Sequence, residues 1–268
     1  MSCTLGSCHG ARSNDCASPT REWSWMANVY PHKAGKRPWL RWLSATSAVL
    51  AVLLLPAAAS AEPPLAAFSS QYRLKAAGFP FSVSAMRTLK PLDNGDWQME
   101  VLAHNFIGEI RETSVFTWRG CTPVTHYYGY LRKGLGQVKS AEVRISDGQA
   151  TSERSEHQPA RFAVDRDASD KIAMTLALQC RLARGDQDLT VKVVDEREQE
   201  VQHYEVQGRE TLKLGDLKLD TVKVHRVRAG TSKRQTWLWF APQRGYELVQ
   251  MVQENSDGRH VLTLEPSP

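Results

Sequence analysis

The sequence has no strong excess of charge of either sign once its N-terminal segment is set aside. The 268 residues include 34 Lys and Arg against 29 Asp and Glu. Residues 1–61 hold six of the basic and two of the acidic side chains, which leaves 28 and 27 in the remainder. A basic face that follows nucleic-acid phosphates is therefore unsupported, and we expect no nucleic-acid partner. One basic stretch is predicted to be a solvated strand edge: Lys223, Arg226, Arg228, Lys233 and Arg234.

Sequence motifs for catalysis and metal binding are also missing. No Gly-x-Ser-x-Gly occurs, so nothing marks a nucleophile elbow. Ser169 and Asp170 are more typical of a helix start than of a catalytic pair. His203 and Glu205 share one predicted strand face but form too small a set for a metal site. We predict no catalytic residue, no metal and no cofactor.

Cysteine is scarce, with five residues in the chain, and three of them lie before residue 17. Cys121 and Cys180 are left. An oxidising compartment permits them to form a disulfide, which would stabilise the fold by roughly 4 kcal/mol in the chain-entropy model. Two free buried thiols are the alternative, and the sequence does not decide between them.

The chain contains a long apolar run, residues 43–55, placed as in an export signal. The small-x-small pattern Ala59-Ser60-Ala61 follows it, and we predict a signal peptide over residues 26–61, cleavage after Ala61 and a periplasmic location. No cysteine stands at the cleavage point, which disfavours a lipid-anchored lipoprotein. An uncleaved membrane anchor is the alternative, since residues 43–61 approach the length of a bilayer span. The basic residues before the run are Lys33, Lys36, Arg37 and Arg41.

The segments on either side of this signal complete the predicted domain organisation. Residues 1–25 are polar and irregular, and they precede any basic n-region, so we expect translation to begin at Met26. A long n-region is the alternative. Residues 62–67 are predicted to be an extended leader and residues 68–265 a single domain. Membrane contact is then expected only transiently, through the signal.

The predicted domain is mainly β. Apolar and polar residues alternate with period two from Phe68 onward, and turn signals such as Asn94-Gly95 and Asp147-Gly148 recur at eight to twelve residues. Residues 168–183 change to a helical period, and Gly185 follows as a stop signal. With about a dozen strands and one helix, we predict a curved, barrel-like antiparallel meander covered by that helix.

Two groups of aromatic residues are candidates for ligand binding. Trp237 and Trp239 belong to a strand that is bulky and apolar on both faces, so one face is expected to meet the helix and the other a second layer or a ligand. Tyr128 and Tyr130 are predicted to share a strand face with His126, where polar-tipped rings could line the mouth of a cleft. Ordinary core packing is the alternative for both groups.

The order of several short motifs resembles an exported bacterial family of unknown function, DUF3108. The resemblance covers nearly all of the chain after the signal, and it implies an exported, mostly antiparallel β protein without a known catalytic set. It transfers no residue roles. The motifs are Phe68-Ser69-Ser70-Gln71-Tyr72, Cys121-Thr122-Pro123, Val206-Gln207-Gly208-Arg209-Glu210, Leu214-Gly215 and Trp237-Leu238-Trp239-Phe240-Ala241-Pro242.

Export, aromatic strands and missing catalytic motifs together favour a non-catalytic envelope module. We expect it to bind an apolar ligand such as a lipid, or an exported polypeptide in the manner of a chaperone. A structural protein that contacts an envelope partner through a strand edge is a second hypothesis. A hydrolase with a nonstandard site, built from His203, Glu205 or Asp170, is a third.

Overall fold

The computed structural model describes residues 64–266, except for 79, 80, 107, 135, 229, 231 and 257. The predicted N-terminal extension, the signal peptide, its cleavage site and the first two leader residues lie outside the described residues. No helix in the described part of the chain is long and apolar enough to cross a bilayer.

Fifteen strands, one α-helix and one short 3-10 helix are formed by the described residues. The strands are β1 Phe68–Lys75, β2 Ser82–Pro91, β3 Trp97–His104, β4 Gly108–Arg119, β5 Thr122–Gly134, β6 Gln137–Ser146, β7 Gln149–Arg154, β8 Ala160–Ala163, β9 Ser169–Asp170, β10 Val191–Val194, β11 Gln199–Leu214, β12 Leu217–Val227, β13 Gln235–Ala241, β14 Glu247–Asn255 and β15 Gly258–Leu264. Helix α1 is Met174–Arg184, and the 3-10 turn is Pro242–Arg244.

All strands belong to one curved, open sheet, in the order β8-β7-β6-β5-β4-β3-β2-β1-β15-β14-β13-β12-β11-β10-β9. Neighbouring strands are antiparallel except β9 and β10, which are parallel. The first and last strands pair at the centre, where Tyr72 lies opposite Leu264. The prediction of a mainly β, curved antiparallel sheet with one helix is confirmed.

Helix α1 lies inside the curve, between the two halves of the sheet. Leu178 and Leu182 pack in a cluster with residues of β10–β14, including Leu238 and Phe240. The segment leading into the helix and Leu176 pack in a second cluster with residues of β2–β7. A helix that is buried on most sides suits this position because both walls of the sheet cover it.

The helix begins six residues later than predicted. Ser169 and Asp170 form the parallel bridge to Val193 and Val194 instead of the first helical turn. Asp170 Oδ1 still accepts the backbone N–H groups of residues 172 and 173, both at 2.9 Å. The end was predicted well, since Gly185 takes a left-handed conformation with φ 77°.

A disulfide fixes the helix to the sheet. Cys180 of α1 is bonded to Cys121 in the turn between β4 and β5, with the two Cα atoms 5.4 Å apart. Of the two alternatives that the sequence left open, the structure therefore has the bridged form.

The sequence predicted that the basic stretch around β12 forms a strand edge, and this prediction is wrong. Strand β12 lies between β11 and β13. The Nζ of Lys223 lies 5.1 Å from the ring centre of Trp239, and only 11% of the Arg226 side chain is exposed to solvent. The prediction failed because β12 pairs with β11 on one side and with β13 on the other, which a run of basic residues does not report.

Candidate functional site

An interior cavity of about 290 Å³ lies between the start of α1 and the inner face of the sheet. Strands from both halves contribute to it, including β2, β4, β11, β12 and β14, because the curved sheet brings them around the helix. Its apolar lining consists of Val101, Ile172, Met174, Val193, Leu248, Met251 and Leu262. Its cationic lining consists of Arg87, Lys171, Arg226, Arg228 and Arg234.

Arg87 is the most deeply buried of these cations, with 3% of its surface exposed. Its guanidinium donates to the hydroxyls of Tyr72 at 3.1 Å and Thr175 at 2.9 Å. Within the described residues it has no carboxylate within 4 Å. A buried charge without a counter-charge is costly, so this group is suited to receive an anion. Arg87 was not predicted as a site residue, although alternation places it on the strand face of two buried residues, Ala85 and Leu89.

Three arginines on the opposite wall extend the positive charge toward the turn between β12 and β13. Arg226 is paired with Glu200 at 2.5 Å, yet its buried Nε has no hydrogen-bond partner. Arg228 donates to the Arg234 carbonyl and Arg234 to the Gln253 side chain. Burial, together with the charges of Arg226 and Arg234, lowers the pKa of Arg228. Among the described residues, neither Arg228 nor Arg234 has a carboxylate within 4 Å.

The charge of Lys171, by contrast, is neutralised by two carboxylates of the protein itself. Its Nζ lies 3.5 Å from Glu112 and 3.3 Å from Glu196. Burial opposes the charged form, but the two carboxylates outweigh it and raise the pKa of Lys171. The ammonium also lies over the rings of Tyr128, at 4.9 Å, and Tyr130, at 5.3 Å. The net positive charge of the cavity therefore comes from its arginines.

The predicted row of His126, Tyr128 and Tyr130 does not form. The register between β4 and β5 shifts between Val115 and Phe116, so His126 is turned outward and exposed while Tyr128 is fully buried. The Tyr128 hydroxyl donates to Glu112, a cavity-lining residue. Burial and then the Glu112 charge raise the pKa of Tyr128. The two tyrosines flank the Lys171 cluster instead of lining an open cleft mouth.

A second, more apolar hollow of about 250 Å³ adjoins the cavity on the inner face. Its apolar lining includes Leu74, Val83, Ala103 and Ile110. The two spaces are neighbours because Leu74 pairs with Leu262, which lines the cavity. The inner face thus places a cationic space beside an apolar one, the arrangement that an amphipathic anion requires.

Trp237 and Trp239 lie on the other face of β13 and do not line the interior cavity. Trp239 is 5% exposed and packs in a cluster with Leu214 and Val252, and its indole N–H donates to Glu210. Trp237 stacks on His225 with ring centres 5.4 Å apart. The second layer over this face is the long β11–β12 hairpin, whose tip contributes Leu214.

Two of the residues considered for catalysis, Ser169 and Asp170, have structural partners. Ser169 donates to the Pro123 carbonyl at 2.8 Å. Asp170, fully buried, accepts from the hydroxyls of Ser114 and Thr125 in addition to its two backbone N–H donors. Burial raises the pKa of Asp170, and these four donors oppose that effect. In the described ranges, no group of three or more His, Cys, Asp or Glu side chains is arranged to hold a metal ion.

A larger groove of about 750 Å³ lies on the outer face, between the β11–β12 hairpin tip and strands β1 and β15. Its cations, including Lys75 and Lys213, are exposed, and Arg73 is paired with Glu265. Water already solvates these groups, so they gain little from a ligand. The interior cavity is therefore the stronger candidate.

Comparison with known proteins identifies the family of the chain. No curated protein matches it. It is similar to the crystal structure of a β-barrel-like protein of a domain of unknown function, DUF1849, from Brucella abortus, at 8% identity and a TM-score of 0.48, over 74% of this chain and 94% of that one. The model of a family described as a protein of unknown function, DUF3108, matches residues 71–265. The chain belongs to the DUF3108 family.

Proposed function

We propose that this protein is a non-catalytic binding module that holds an amphipathic anion, such as a fatty acid, in its interior cavity. The observation that carries the proposal is Arg87, a buried guanidinium in the cavity wall with neutral partners only. The anionic head would lie between Arg87 and the arginines of β12 and the following turn. The apolar hollow at Leu74 and Ile110 would receive the chain.

The cavity dimensions are consistent with a small ligand. Ligand sites usually measure roughly 300–1,000 Å³ and combine an apolar lining with a few converging polar groups. The cavity, at about 290 Å³, lies at the lower end of this range, and the hollow of about 250 Å³ lies on the same face. The strand-edge hypothesis has less support, because the sheet ends in strands of four and two residues, β8 and β9.

Export to the periplasm is part of the proposal. Its support is the basic segment, the apolar run of residues 43–55 and the Ala59-Ser60-Ala61 motif. N-terminal sequencing of protein recovered from the periplasm tests it, and a mature chain starting at Glu62 is expected. Recovery of the chain in the cytoplasm with residues 26–61 intact would rule it out.

The binding proposal is tested by displacement of a fluorescent fatty acid with palmitate and with its methyl ester. Palmitate is expected to bind, and the uncharged ester to bind more weakly. Arg87→Met should weaken palmitate binding by about tenfold to a hundredfold, the value of a charge-assisted hydrogen bond. The matched control Arg73→Met, on the outer face, should leave it unchanged. Equal affinities of wild type and Arg87→Met, or of acid and ester, contradict the proposal.

A further inference from the structure

We propose that one edge of the sheet docks on the surface of an anionic phospholipid bilayer. In an antiparallel sheet successive turns alternate between two edges, so the turns β1–β2, β3–β4, β5–β6, β12–β13 and β14–β15 lie along the same edge. We call this side of the domain, where the strands end in these turns, the lower edge. The upper edge carries the Cys121–Cys180 disulfide and the β11–β12 tip.

Two phenylalanines project at the lower edge. Phe81, beside the β1–β2 turn, is 53% exposed, and Phe106, in the β3–β4 turn, is 81% exposed. Their rings meet edge to face with centres 5.7 Å apart. The other exposed large apolar side chains among the described residues are valines and one methionine, all on strands. An exposed aromatic pair at turn tips is the kind of patch that marks an interaction site.

Unpaired cations lie along the same edge as this aromatic pair. Lys75, Arg132, Lys133 and Lys233 are exposed at or near the lower-edge turns, and none forms an ion pair within the described residues. Of the nearby acids, Glu254 is paired with Arg259 at 3.4 Å. Glu109 shares Arg111 with Glu100, at 3.4 and 3.2 Å. The combination of protruding apolar rings and free basic side chains complements a bilayer whose headgroups are anionic and whose interior is apolar.

A bilayer fits this edge better than a protein partner does. A stable protein interface buries on the order of 1,000 Å² or more around a packed core, whereas the lower edge offers two rings on separate turns. Rings on turn tips enter a fluid interface without needing a matching pocket. The apolar hollow also opens beside this edge, since Asn105 and Gly108 of the β3–β4 turn belong to its lining.

The test is flotation of the compact unit Ala58–Pro268, which contains all described strands and its own core, with vesicles. Its use removes the apolar run of residues 43–55 as a source of binding. Vesicles of phosphatidylglycerol with phosphatidylethanolamine are compared with vesicles of phosphatidylcholine. The wild-type unit should bind the anionic vesicles, less so at high salt, and bind phosphatidylcholine weakly.

Matched variants separate the lower edge from the rest of the surface. Phe81→Ser with Phe106→Ser should weaken vesicle binding by about tenfold for each ring removed, and Arg132→Gln with Lys133→Gln should reduce the preference for anionic vesicles. Val206→Ser, at 52% exposure on β11, should change nothing. Because these side chains are exposed, the melting temperatures should stay equal.

The outcomes distinguish this inference from the binding proposal. Arg87→Met should bind vesicles as wild type does, even if it no longer binds palmitate. No vesicle binding by the wild type, or equal binding by wild type and the double phenylalanine variant, overturns the docking inference. A lower-edge protein partner without vesicle binding overturns it as well.

Discussion

Arg87 on β2 donates a hydrogen bond to Thr175 in the first turn of α1, with Nη2 and Oγ1 2.9 Å apart. Thr175 does not depend on this bond, because its own hydroxyl donates to the Ile172 carbonyl at 2.7 Å. Tyr72 is in the same situation, since its hydroxyl accepts from Arg87 and donates to the Leu248 carbonyl at 2.6 Å. Removing the guanidinium would therefore leave no orphaned donor on either partner.

Arg87→Met is accordingly expected to keep or raise the free energy of unfolding. Replacement of a buried ion pair by apolar side chains of similar volume is often neutral or stabilising by about 1–4 kcal/mol. Among the described residues, the single guanidinium of Arg87 has no counter-charge to lose, only its two hydrogen bonds and its contacts with the rings of Tyr72 and Phe68 at 5.4 and 6.0 Å. The measurement is urea denaturation of wild type and variant. A loss of more than about 2 kcal/mol would assign Arg87 a structural role instead and weaken the binding proposal.

Asp170→Ala should be strongly destabilising. It leaves two hydroxyls and two backbone N–H groups buried without their acceptor, and each orphaned group costs about 1–3 kcal/mol. We expect a total loss of about 3 kcal/mol or more in denaturant unfolding. Asp167→Ala is the control, because Asp167 forms only an exposed ion pair with Lys192 and should cost less than about 1 kcal/mol. Similar losses for the two variants would show that the Asp170 network is not important for stability.

Removal of the disulfide by Cys121→Ala with Cys180→Ala should lower the free energy of unfolding by about 4 kcal/mol. The estimate follows from the loop entropy that the bridge removes from the unfolded chain. Reduction of the wild-type protein should cause a comparable loss and should not affect the double variant. A double variant as stable as the oxidised wild type would contradict this.

Stability should fall as the solution becomes more alkaline than about pH 10. Burial raises the pKa of Tyr72, Tyr128 and Tyr204 above the ordinary value of 10.0. In this range the unfolded chain loses tyrosine protons that the folded protein keeps, so each tyrosine lowers stability by about 1.4 kcal/mol per pH unit. Below about pH 10 these groups contribute no pH dependence. Denaturant unfolding at a series of pH values measures the slope of stability against pH. Tyr128→Phe should reduce this slope by about 1.4 kcal/mol per pH unit, the contribution of one tyrosine.

Local sequence signals predicted elements whose cause is local. Gly185 ended the helix because a left-handed residue stops it. Strand β11 runs through Gly208 with a register shift and a φ of 138°. The start of α1 was misplaced because Asp170 bonds to residues 45 and 56 positions away.

The candidate site was less predictable than the fold. Trp237 and Trp239 were predicted to bind a ligand because their strand is bulky and apolar, but the β11–β12 hairpin covers their face. Arg226 and Arg228 were taken for solvated residues, since nothing in the sequence places them opposite β2. The lining of a cavity between distant strands depends on how the sheet curves around the helix. Alternation in the sequence predicts only which residues share a face of one strand.

The pairing of β1 with β15 has a consequence for the order in which the protein folds. Residues 192 positions apart meet there, and the seam lies at the middle of the sheet rather than at its border. The two meanders can each form from local hairpins, but they cannot join until the seven residues of β15 have left the ribosome. A chain stopped before Gly258 would leave β1 and β14 each with one unpaired edge, and the cavity, which both halves and Leu262 of β15 line, would be incomplete.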